Sequence, residues 1–213
     1  MTESTTIEAP SERFDATPIA TEDDATPLVR LIGRTLSRAS GDPAAGLVGT
    51  VAIRSHDTPQ AATIAFAADA VTVTSGVFVE PDATLVVDLD VRFAPTQEPA
   101  GDADLAARVL HALRPPVPHW REAAVRFWEV TRGIAGIPEV LIVEAAGPDG
   151  PERGQFGEGA TTYLIAGPAD LLAGVFSGAD DFLVSLAAGV QVQGTLSQLS
   201  VMTAASWKVR FDV

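Results

Sequence analysis

Cysteine is missing altogether from this chain of 213 residues, which has one lysine (Lys208), one tyrosine and three histidines. Without cysteine there is no disulfide, no thiolate metal site and no cysteine nucleophile, and the absence fits a reducing compartment. The 14 basic residues face 28 acidic ones, a formal net charge of −14. The clustered Lys and Arg that nucleic-acid phosphates demand are therefore lacking, and an anionic membrane surface is disfavoured on the same ground. No basic segment followed by an apolar run opens the sequence, so no secretory signal is expected. These shortages describe a soluble, cytoplasmic protein.

Apolar residues are plentiful, at 46 %, enough for a substantial core. They concentrate near the C-terminus, where Phe182 to Trp207 contains no charge. That run includes three Gln, four Ser, two Thr and two Gly, too polar for stable membrane insertion. Residues 1–26 have the opposite character. Seven acidic residues there face a single Arg13, and so little apolar surface cannot offset ordering entropy. A disordered acidic tail is expected, with Ile7, Phe14 and Ile19 as the anchors if it docks instead.

Folding begins at Thr26-Pro27, an N-cap followed by a favoured first helical residue. The helix runs through Leu28, Leu31, Ile32 and Leu36 to Gly41. Strand-like segments follow at Val48–Arg54, Ala61–Ala68, Val71–Thr74 and Ala83–Phe93. The last alternates Leu85, Val87, Leu89, Val91 and Phe93 against Asp88, Asp90 and Arg92. Helices are predicted over Ala103–Leu113 and His119–Gly133, then a strand over Ile137–Ala145, a glycine-rich loop over Gly147–Gly159 and a strand over Ala160–Ala166. Strands in blocks with helices between them indicate α+β, a mixed and largely antiparallel sheet with one face covered by helices.

Catalytic patterns are thin. No two of His56, His111 and His119 have metal-ligand spacing, so no metal and no cofactor is assigned. Ser177 sits off-centre for a nucleophile elbow. Gly154, Gly157 and Gly159 lack the lysine of a phosphate loop and lie beside Glu152 and Glu158. Solvation accounts for Asp88 and Asp90, and a helix N-terminus for Asp180 and Asp181. His119 with Glu122 is the one acid–base pairing left for an enzyme. The remaining set is apolar: Phe176, Phe182, Leu186, Met202 and Trp207 toward the C-terminus, with Trp120, Phe127 and Trp128 in the middle. Core packing explains each singly; together they can wall a mostly apolar ligand cavity.

From Ala160-Thr161-Thr162-Tyr163 through Gly167-Pro168-Ala169-Asp170-Leu171-Leu172, Gly178 and Gly189-Val190-Gln191-Val192-Gln193-Gly194, the chain resembles the sterol carrier protein 2 family. That family orders a strand, an acidic-Leu-Leu helix, a glycine, a second helix, a short Gly-flanked strand and a last helix. Pro81-Asp82-Ala83-Thr84-Leu85 echoes its acidic-Ala-Thr strand entry a second time, as a degenerate internal duplication would. Thr195 stands where members usually carry an acidic residue, and Gly101–Gly147 lacks a counterpart. The resemblance implies a single domain over residues 27–213 with a helical insertion around 101–147. It also implies a non-enzymatic module that binds a lipid, fatty acyl chain or sterol-like molecule. The alternative is a structural or dimerisation domain with a filled cavity, paired as a homodimer through exposed apolar helices.

Overall fold

The computed structural model describes residues 17–39 and 46–211. The architecture is α+β with mixed sheets, and the strands divide between two sheets rather than joining one. The first half of the chain contains β1 (Ile19–Thr21), α1 (Pro27–Arg38), β2 (Gly49–Ser55), β3 (Ala61–Phe66), β4 (Val71–Ser75), β5 (Ala83–Asp88), β6 (Ala94–Pro95), β7 (Ala100–Gly101) and α2 (Ala103–Ala112). The second contains α3 (Trp120–Thr131), β8 (Val140–Gly147), β9 (Gly150–Phe156), β10 (Thr162–Pro168), α4 (Ala169–Ser177), α5 (Phe182–Ala187), β11 (Gln191–Gln193) and α6 (Leu196–Phe211). No helix among the described residues is long and apolar enough to cross a membrane.

The two halves repeat one topology. A helix leads into an antiparallel hairpin, β2–β3 or β8–β9. A later strand returns parallel to the first, β5 beside β2 and β10 beside β8, although in the first half β4 intervenes and pairs antiparallel with β3. Short strands pair antiparallel to it, β6 and β7 directly after β5 and β11 on β10 after the two helices α4 and α5, and a helix closes the unit. A carboxylate secures each parallel pair at its entry. Asp82 Oδ2 accepts the Thr50 amide at 2.7 Å, and Glu139 Oε2 accepts the Ala160 and Thr161 amides at 2.7 and 2.9 Å. Those amides hold the exposed Glu139 carboxyl below its usual range. Segment 101–147, which the resemblance marks as an insertion, supplies the helix that ends the first unit and the helix and strand that begin the second.

Each unit has its own core. Leu28, Ile32 and Leu36 of α1 pack with Ile53, Ile64, Val73 and Leu85 of the first sheet. Trp120 and Phe127 of α3, Phe176 of α4 and Met202 of α6 pack with Leu141, Val143 and Ile165 of the second.

Three expectations change. Ile19–Thr21 pairs in parallel with β4, and Ile19 packs against the first core. Order therefore starts within the segment read as a tail through residue 26, because a free sheet edge supplies the hydrogen bonds that composition alone does not. Residues 1–16, with Ile7 and Phe14, lie outside the described residues, as does Gly41. The Gly147–Gly159 loop contains the seven-residue strand β9, paired along its length with β8. The Ala83–Phe93 strand stops at Asp88, for a reason found at the junction of the units.

Candidate functional site

Arg92 and Phe93 both adopt left-handed backbone, with φ of 47° and 53°. For residues with a Cβ this costs about 1–2 kcal/mol each. The turn drives Phe93 into the first core at 2 % exposure and sends Arg92 across to the second unit. There Arg92 Nε donates to both Asp180 carboxylate oxygens at 3.0 and 2.9 Å. Its Nη1 reaches Asp170 Oδ1 at 3.1 Å and its Nη2 the Asp170 carbonyl at 2.8 Å. Asp180 is 5 % exposed. Burial holds its carboxyl above the ordinary aspartate range, and Arg92 offsets only part of that. Gly174 makes the approach possible, since a Cβ there would lie 1.7 Å from Asp180 Oδ2 and 2.7 Å from Arg92 Nη2.

The end of α4 is held by arginines from both units. The Ser177 carbonyl accepts Arg34 Nη2 at 2.9 Å and Arg38 Nη1 at 2.8 Å. The chain then turns through Gly178 at φ 75°. Arg210, 2 % exposed, donates through Nη1 to the Gly178 and Ala179 carbonyls at 3.2 and 2.9 Å, and through Nη2 to the Leu89 carbonyl. Burial pushes its pKa down, with Asp90 and Asp181 opposing the shift. Cationic donors at a helix C-terminus satisfy its free carbonyls and meet the negative end of its dipole.

Around this joint lies a cavity of about 300 Å³. Its walls come from α1, the Arg92-Phe93 turn, the connection Leu113–Pro118, α3, the end of α4 and Val209 of α6. Leu31, Phe93, Leu113, Phe127, Phe176 and Val209 make much of the surface apolar. Five arginines (Arg34, Arg38, Arg92, Arg114 and Arg126) also line it, and no Asp or Glu does. In a chain with twice as many acidic as basic residues, that is an inversion of the average.

The aromatic set singled out from the sequence falls mostly elsewhere. Trp120, Phe127, Phe176, Phe182 and Met202 are each at most 2 % exposed in the second core, with the Phe127 and Phe176 rings 5.3 Å apart. Trp128 and Leu186 pack against that core. Trp207 is 45 % exposed, its Nε1 donating to Asp181 Oδ2 at 3.2 Å. Of the eight residues, Phe127 and Phe176 border the junction cavity. Tyr163 Oη and Trp120 Nε1 are buried with no hydrogen-bond partner among the described residues, and burial pushes the Tyr163 pKa up to about 12.

His119 caps α3, its Nδ1 accepting the Arg121 amide at 3.3 Å, and stands outside the cavity lining. Among the described residues no group of three or more His, Asp or Glu is placed to hold a metal ion. The arginines and the left-handed turn escaped the sequence reading because their only common property is convergence from distant segments. No protein-family model, curated protein or solved structure matches this chain, so the joint and its cavity are defined by these residues alone.

Proposed function

We propose that this protein is a non-enzymatic, cytoplasmic binding module for a small hydrophobic molecule, held in the junction cavity. The observation that carries the reading is a space of about 300 Å³ with apolar walls from both units, at the lower end of the ligand-site range. Ligand sites recur where two packed units meet, and the resemblance to the sterol carrier protein 2 family points to the same lipid-like class. Two tests apply. Organic extracts of the purified protein are examined by mass spectrometry, and a fluorescent fatty acid is titrated against wild type and Val130→Trp. Val130 lines the cavity and is 55 % exposed, so the indole obstructs the site without repacking a core. Saturable binding that this variant weakens supports the proposal; an empty extract with no saturable binding defeats it.

A second reading rests on Leu183 and Val184 of α5 and Trp207 of α6, which are 45 %, 39 % and 45 % exposed. Apolar residues on these two packed helices suit a homodimer contact. Sedimentation velocity over a range of concentrations separates the readings, because a dimer that carries no lipid favours this one.

A further inference from the structure

We infer that the ligand of the junction cavity is an amphiphilic monocarboxylate, with its apolar body against Phe127, Phe176 and Leu31 and its carboxylate on Arg114. This rests on the binding reading above and deepens it. Volume limits the body. About 300 Å³ equals roughly ten water volumes at ~30 Å³ each, which suits a chain of about eight to ten carbons.

Charge sets the head group. Five arginines face the cavity with no carboxylate among its lining residues, although the whole chain has a formal charge of −14. An arginine beside apolar surface can hold a carboxylate by charge-assisted hydrogen bonds while the attached chain lies on that surface. Arg92 is committed to Asp180 and Asp170, and Arg34 and Arg38 to the Ser177 carbonyl. Arg126 holds Glu122 in an exposed i,i+4 pair, a weak contact that a ligand readily displaces. Arg114, on the exposed connection between the units, forms no guanidinium hydrogen bond or ion pair among the described residues. Its guanidinium is therefore open to a ligand, and the planar fork binds a single carboxylate in two-point fashion.

The test displaces a bound fluorescent fatty acid with decanoate, decan-1-ol or decyltrimethylammonium, below their micelle concentrations, from wild type, Arg114→Gln and Arg114→Glu. Far-UV circular dichroism and urea unfolding confirm that the variants remain folded. Decanoate displaces the probe at about two- to fivefold lower concentration than the alcohol, the value of one solvent-exposed charge pair. The cation displaces it least. That preference shrinks in Arg114→Gln, reverses toward the cation in Arg114→Glu and weakens with salt. Equal potency of decanoate and decanol, or a preference unchanged by both variants, overturns the carboxylate inference and leaves hydrophobic binding standing. Failure of the probe itself to bind wild type removes both.

Discussion

Asp180 is a carboxylate withdrawn from water, seated over a glycine and answered by one guanidinium from the other unit. Removing one partner of such a pair leaves a buried charge, so Arg92→Ala should lower unfolding free energy by about 3–5 kcal/mol in urea titrations. Gly174→Ala should cost about 1–3 kcal/mol through the clash its methyl makes with the pair. The pH dependence has a definite sign. Burial raises the folded pKa of Asp180, so the native state keeps a proton that the unfolded chain has released. The stability of wild type relative to Asp180→Asn should therefore fall as pH rises from about 4 through the folded pKa, then level off. A relative rise would mean that Arg92 outweighs burial. Tyr163 reverses the usual penalty for deleting a polar group. Its hydroxyl has no partner among the described residues, and a buried unsatisfied group costs about 1–3 kcal/mol. Tyr163→Phe should leave the urea midpoint unchanged or raise it; a clear drop would reveal a hydrogen-bonded hydroxyl.

Among the elements, the short helix α5 relies on one capping side chain. Asp181 Oδ1 accepts the Leu183 and Val184 amides at 2.8 and 3.1 Å, and Oδ2 accepts Trp207 Nε1. Asp181→Ala should cost about 1 kcal/mol, typical of an N-cap, and also shift Trp207 fluorescence, which a capping loss alone would leave in place. Helices with strong signals were legible. Thr26-Pro27 opens α1, and Gly178 and Gly189 divide the C-terminal third much as their positions indicate. Elements that break period or composition were not. The alternation after Asp88 continues through Val91 and Phe93, but it lies on a turn whose backbone no alternation describes. Strand β9 reads Gly-Pro-Glu-Arg-Gly-Gln-Phe, and only Gly154 of it is buried, so it presents no apolar face to recognise. Ile19 reads as an anchor within a tail, yet its strand depends on a β4 edge some fifty residues later.

For the whole molecule, the question is whether two cores unfold as one. Trp120, Trp128 and Trp207 all belong to the second unit, so tryptophan emission reports on that unit alone while far-UV circular dichroism reports on both. The arginine contacts across the joint couple the units, and the two probes should give coincident wild-type urea curves. In Arg92→Ala they should separate; coincidence in both proteins would place the coupling elsewhere. Site and fold differed in legibility for one physical reason. Sheets and cores follow local pattern, whereas the cavity draws on residues from Leu31 to Val209, a meeting that only the docking of the two units creates. The aromatic residues that stood out from the sequence are what a core of that size needs.

The second sheet ends at β9, whose outer side pairs with no strand among the described residues. An open edge of this kind is a template on which other chains can crystallise into fibres. Pro151 removes a donor, Glu152 and Arg153 place charges of both signs along the strand, and Gly150 and Gly154 provide no side chain for an incoming strand to grip. The residues that conceal this strand from pattern recognition thus also make its edge a poor template for other polypeptides.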